Sequence, residues 1–257
     1  MNNRSVISIL ILMTVTALSG CVSKGDVEAM SAQEFSKMRT TIPVSNDASA
    51  HAYVNCVVRK VAAELPYPYN EVRWDVEVFE QDSANAFAMA GGKIGVFTGI
   101  FKVAETQDQF AAVIGHEIAH VTEDHTIERI NRAQMTGGAI TATSILVGDS
   151  IGLGAQNTQT VLEGAAQLGL LMPFGRGQES EADVVGLDYM AAAGFDPRAS
   201  VQLWKNMAAD SDGAPPEFMS THPSSDTRTE DLISNMPQAL VLYNTAKAQG
   251  KSPNCLR

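Results

Sequence analysis

The stretch TQDQFAAVIGHEIAHVTEDH, residues 106–125, decides how this chain must fold. Thr106, with Gln109 three positions on, makes a capping box: the two side chains satisfy backbone N–H groups that a helix start leaves without partners. The helix predicted from there runs through three of the chain's five histidines. On it His116 and His120, four apart, share a face and stand one turn from each other. Two imidazoles so placed can grip one ion, and Glu117 flanks the same face, where it can reach a water as general base. Zinc suits two neutral imidazoles and a carboxylate, and it promotes hydrolysis without redox chemistry. An HExxH run also arises by chance on ordinary charged helices. The cap and the apolar bracket of Val113, Ile114 and Ile118 favour the metal here.

A third ligand has to come from elsewhere. His125 is one residue short of the third-histidine position of the metzincin pattern HExxHxxGxxH, where this chain has Thr126, and Glu123 stands where that pattern has glycine. His125 therefore reads as a helix-end histidine beside the C-terminal dipole, not as a ligand. The downstream run ESEAD, residues 179–183, offers a better candidate. Glu179 and Asp183 are four apart on one helical face and Glu181 points away. Glu179 is assigned to the metal and Asp183 to a hydrogen bond with a ligand histidine. A solvated acidic face is the alternative, but Ala182 and Gly186 are small enough for that side to pack closely against the histidine helix.

The rest of the chain supplies the setting. Residues 1–20 carry Arg4, a short apolar run and small residues, as a secretory leader does, and LSGC at 18–21 resembles a lipobox that would lipidate Cys21. An ordinary signal cleavage nearby is the alternative. Residues 21–27 then form a tether and 28–257 a single domain. A net charge of −11 argues against a nucleic-acid partner. Cys56 and Cys255 remain as an even pair for one disulfide in an oxidising compartment, or as two free thiols. Two helices precede VRWDVEVF, residues 72–79, whose strict alternation predicts a half-buried strand. In NAFAMAGGKIGVFTG, residues 85–99, Gly91-Gly92 separates two apolar runs as in a hairpin. Asn85, Ala86, Phe87 and Ala88 would offer an exposed edge for an extended peptide. Residues 132–173 are apolar and nearly uncharged, read as buried or substrate-facing helices rather than a membrane span, with contact at a membrane surface as the lesser alternative. Helices follow over 175–193, 197–209 and the C-terminal 224–249, with a Pro- and Ser-rich loop holding His222 in between. His222 is a candidate oxyanion or substrate contact, or a surface histidine. Arg228 is placed to brace Glu179 or Asp183, and His51 is structural or exposed.

HExxH, then ExxAD, then GFDP at 194–197, resembles the gluzincin zinc peptidases of the HtpX, CAAX prenyl protease and Oma1 kind, most of all small periplasmic lipoprotein members of the LoiP type. The strand hairpin and THPSSDTR, residues 221–228, match the same pattern, and the likeness covers roughly residues 50–235. It lacks the spanning helices of some of those relatives and the C-terminal helical repeats of the BepA type. The resemblance implies a mostly helical α+β domain with a small antiparallel sheet beside the catalytic helix and one Zn2+ per chain. It also implies an endopeptidase on the periplasmic side of the outer membrane, acting on misfolded or misassembled envelope proteins, and a second role for His222 as a reversible fourth zinc ligand. A zinc-stabilised binding or chaperone-like protein and a cell-wall peptide hydrolase are the rival readings.

Overall fold

A computed structural model describes residues 22–135, 173–209, 217–223 and 228–257. The leader, Cys21 and most of the apolar 132–173 stretch lie outside the described residues. Helices α1 (Lys24–Thr41) and α2 (Ala48–Ala62) lead into strands β1 (Asp75–Phe79), β2 (Ala86–Met89) and β3 (Lys93–Phe97). Then follow α3 (Gln107–Thr122), α4 (His125–Met135), α5 (Arg176–Ala192), α6 (Ala199–Ala209), the short α7 (Glu217–Thr221) and α8 (Arg228–Ala248). Among the described residues no helix is long and apolar enough to cross a membrane.

The tether expected over 21–27 is shorter than the sequence suggested. Ser23 caps α1 reciprocally with Asp26, and Val27 is fully buried. Residues 24–27 are therefore the first turn of a packed helix. The α1 helix lies over the sheet, where Phe35, Met38 and Ile42 pack with Phe79, Met89 and Phe97. Its Arg39 reaches across to β1, with Nη2 2.6 Å from Asp75 and Nε 2.8 Å from Glu77. The polar face of the strand is thus partly covered by Arg39, while the Asp75 side chain remains 36% exposed. β1 also starts later than expected: residues 69–71 form a 3-10 turn, and the ladder begins at Asp75.

The sheet order is β1-β3-β2. The β2–β3 hairpin is antiparallel, as predicted, with Met89 opposite Lys93. Gly91 and Gly92, in the connection, adopt φ of 75° and 73°, a region that side chains rarely tolerate. β1 instead joins β3 in parallel, Asp75 opposite Lys93, so the small sheet is mixed. β2 is left at the edge next to α3.

The main core lies between the sheet, α2, α3 and the later helices, around Val54, Val57, Ile94, Ile114, Ile118, Leu187, Met190 and Phe195. A disulfide joins Cys56 in α2 to Cys255 in the tail, Cα atoms 5.7 Å apart. Helices α3 and α5 make the closest approach. A Cβ placed on Gly115 would fall 2.5 Å from the Gly186 carbonyl oxygen, and one on Gly186 would fall 2.6 Å from the His116 nitrogen. Two glycines facing each other let the backbones touch. That contact carries the carboxylates of α5 to the histidines of α3.

Candidate metal centre

The Thr106–Gln109 capping box is present, and α3 buries His116, Glu117 and His120 together. The helix does not continue to His125, as the sequence had suggested. It stops at Thr122, Asp124 takes a left-handed φ of 54°, and α4 starts at His125. The turn sends the His125 ring back toward His120. His125 thus opens a helix, and the dipole argument made for it from the sequence does not apply.

His116, His120, Glu179 and His222 converge, and one ligand atom from each lies within 4.8 Å of all the others. The Nε2 atoms of His116 and His120 are 3.1 Å apart. Glu179 Oε2 is 3.5 Å from His116 Nε2, and its Oε1 is 3.5 Å from His120 Nε2. His222 Nδ1 is 3.1 Å from His116 Nε2 and 3.1 Å from Glu179 Oε1. Ligands about 2.0–2.1 Å from a tetrahedral zinc stand about 3.3 Å from one another. These separations are close to the edge of a zinc tetrahedron, with Glu179 offering one oxygen to each histidine of α3.

The proton inventory makes the same demand. Asp183 Oδ1, 3.0 Å from His116 Nδ1, accepts the imidazole N–H, which leaves the Nε2 lone pair aimed at the centre. Burial pushes His116, His120 and His222 well below the ordinary imidazole range, so all three stay neutral, as metal ligands must. Neutral lone pairs and a carboxylate facing one another in a buried space repel unless a cation lies among them. Glu117 Oε1 is buried without a hydrogen bond, and Glu179 Oε2 has none either, with the Arg228 guanidinium 3.2 Å from it. The cluster therefore suits one Zn2+.

Asp183 is clamped by Arg228, whose Nε and Nη2 lie 2.6 and 2.7 Å from its two oxygens. The same guanidinium reaches Glu179 at 3.2 Å and lies flat on Trp204, 3.4 Å from the ring centre. Of the two carboxylates offered for its bracing role, Arg228 thus holds both. Glu117 sits beside the cluster. Its Oε2 accepts from the Ala88 N–H of β2 at 3.2 Å, and its Oε1 is 3.4 Å from His222 Nε2. Burial, and then the Glu179 charge, push the Glu117 carboxyl well above its usual range.

The predicted substrate strand is adjacent to this base, but its edge is covered. Ala86 and Ala88 are buried and Phe87 is half-buried against Gly95. The Asn85 carbonyl accepts from the Phe97 N–H, so by the two-residue period Ala86 and Ala88 turn their backbone groups away from β3, and the Ala88 N–H meets Glu117 of α3. The loop expected around His222 contains α7, whose Phe218 stacks on the His222 ring at 4.5 Å. His222 is accordingly buried, not a surface histidine. His51, by contrast, stays outside the site, with Nε2 2.9 Å from the Ser45 carbonyl.

Sequence reasoning missed the aromatic and cationic wall. Phe174 stacks on His120 at 3.7 Å, and the Arg129 guanidinium covers the other side of Phe174 at 3.6 Å. Burial holds Arg129 down to about 9. Neither residue belongs to a local motif. A cation on the amphipathic α4 and a lone aromatic before GRGQ were the only signals.

A model of peptidase family M48 matches residues 48–235. The mitochondrial metalloendopeptidase OMA1 of Schizosaccharomyces pombe is 35% identical over 196 residues, covering 76% of this chain and 55% of that protein. The bovine mitochondrial metalloendopeptidase OMA1 is 34% identical over 199 residues, covering 73% of this chain and 38% of its own length. The beta-barrel assembly-enhancing protease of Yersinia pestis is 28% identical over 221 residues, covering 83% of this chain and 44% of that one. The chain thus spans about half, or less, of the length of these relatives. The family match contains His116, Glu117, His120, Glu179, Asp183, His222 and Arg228 together, and with it the chain belongs to peptidase family M48.

Proposed function

We propose that this chain is a zinc-dependent endopeptidase of the cell envelope, related to the small periplasmic lipoprotein members of its family and held closed in this state by His222. The observation that carries the reading is the zinc-sized set of His116, His120 and Glu179 with Glu117 beside it, touching the backbone of the edge strand. Zinc, when bound, supplies a Lewis acid and lowers the pKa of water.

The chain's own residues do the rest. Asp183 and Arg228 fix the His116 ring. Glu117 takes the proton of the attacking water and passes it to the leaving amine. The outward backbone groups of Ala86 and Ala88 receive an extended peptide as an added strand. In the closed state Glu117 holds the Ala88 N–H and His222 fills the fourth corner, so departure of His222 and Phe218 frees the base and the strand together. Unfolded or misassembled envelope proteins fit such a site, because backbone recognition needs an extended segment and no particular side chain. Lipidation of Cys21 would hold the domain on the periplasmic face of the outer membrane.

The fourth corner also supports a second reading, a zinc-stabilised binding protein with a permanently closed site. Glu117 speaks against it, because a structural site has no use for a buried carboxylate at the water position. Casein cleavage by the zinc-loaded protein, with Glu117→Gln alongside, tests the proposal. Wild type is expected to cleave, and Glu117→Gln to bind one zinc and not cleave. Equal cleavage by both would remove the assignment.

A further inference from the structure

We infer that His125 and Glu181 form a positioning relay that sets the tautomer and orientation of the zinc ligand His120. The inference rests on the zinc reading above and concerns residues that reading leaves without a role. His125 Nδ1 lies 2.9 Å from His120 Nδ1, and His125 Nε2 lies 3.2 Å from Glu181 Oε2. His125 is 2% exposed, whereas the Glu181 side chain is 56% exposed. A chain of contacts thus runs from a buried ligand to the surface.

One set of proton assignments along this chain leaves His120 Nε2 bare for a metal. A carboxylate only accepts, so Glu181 takes the Nε2–H of His125. A His120 that offers Nε2 to a metal carries its proton on Nδ1, and His125 Nδ1, 2.9 Å away, accepts it. His120 is left with its lone pair on Nε2, 3.1 Å from His116 Nε2, at the metal position. Each ring has one orientation compatible with both neighbours. The left-handed Asp124 between α3 and α4 is what brings His125 back within reach of His120.

The two ligand histidines are therefore held by different devices. His116 is fixed by a buried carboxylate that an arginine clamps from two sides. His120 is fixed by an imidazole whose own partner stands in solvent. Outer partners of metal-bound histidines commonly carry about 10- to 100-fold in metal affinity. The same range is expected from this relay, with no contact between its members and a substrate.

The experiment is a zinc-affinity series on the full chain by competition with a chromophoric chelator, with Co2+ absorption spectra as a report on ligand geometry. The proteins are wild type, His125→Phe, His125→Asn, Glu181→Ala, His125→Phe/Glu181→Ala, and His120→Ala as control. His125→Phe should weaken zinc binding by roughly 10- to 100-fold and alter the Co2+ spectrum. His125→Asn, whose amide oxygen can take the place of Nδ1, should recover most of that loss. Glu181→Ala should weaken binding in the wild-type background and add nothing in His125→Phe. Equal losses from Glu181→Ala in both backgrounds, or none in either, would overturn the relay. If His125→Phe does not fold, the exposed Glu181→Ala decides alone, and unchanged affinity there refutes it. Wild type that binds no zinc, or His120→Ala that binds it as well, would instead defeat the underlying zinc reading.

Discussion

Gly186→Ala separates packing from propensity at the place where the site is assembled. An alanine is worth up to about 1 kcal/mol over glycine inside a helix, so local preference alone predicts a more stable protein. The structure predicts the opposite. The added Cβ would lie 2.6 Å from the His116 nitrogen and 2.7 Å from the Gly115 carbonyl carbon, both backbone atoms that no side-chain rotation can move. Reaching an ordinary contact of roughly 3.5 Å requires α3 and α5 to part by about 0.9 Å. Overpacking of this kind costs about 1–3 kcal/mol, and it exceeds the propensity gain because the obstacle is rigid. The same displacement would stretch the Glu179–His116 and Glu179–His120 separations from 3.5 Å, well beyond a zinc tetrahedron's edge of about 3.3 Å. The chelator-treated protein is therefore expected to melt several degrees lower, at about 2–4 °C per kcal/mol for a chain of this size, and zinc affinity to fall as well. Gly177→Ala on the same helix is the control, since a Cβ there meets nothing within 4 Å. Differential scanning calorimetry and chelator competition give both quantities. A Gly186→Ala protein as stable and as zinc-avid as Gly177→Ala would show that the helices do not meet at this glycine, and the account of the site's assembly would fail.

His222→Ala should raise casein cleavage, because it empties the fourth corner and releases Glu117; a fall would assign His222 to the oxyanion instead. Arg228→Lys should weaken zinc binding while leaving the fold intact, since one ammonium cannot hold Asp183 on two sides and also reach Glu179; undiminished zinc affinity by chelator competition would remove the clamp. Cys255→Ser opens a link across 199 residues, for which chain entropy alone gives about 5 kcal/mol, so the urea midpoint should drop sharply and no longer respond to reductant. Asp75 is held below the usual carboxylate range by Arg39. Its contribution is present above the unfolded value near 4 and lost as pH falls through the lower folded value. Asp75→Asn should flatten the acid limb of the stability curve, and an unaltered limb in pH-dependent melts would contradict this.

Local pattern was enough to read the ingredients of the site. The spacing of His116 and His120, the cap at Thr106, and Glu179 four residues before Asp183 all follow from a period of 3.6 residues that any helix imposes. Gly91-Gly92 marked the hairpin for an equally local reason, the steric cost of positive φ. The small residues of α5 even pointed to the close helix contact that Gly115 and Gly186 make. What spacing did not reveal depends on where separate elements meet. The parallel pairing of β1 with β3 is set by the chain's path between them, and the partial cover of β1's polar face by Arg39 of a separate helix. His125 was misplaced because a continued helix would carry it off the ligand face, and one left-handed residue, Asp124, reverses that. Glu181 points away from the metal along its own helix and still acts on it through another histidine. Phe174, Phe218 and Arg129 enter the site from segments with no periodic relation to it. By itself the sequence determined which groups could bind a metal. Only tertiary structure decided which groups orient and close over them, because that depends on distances between elements, which no local repeat encodes.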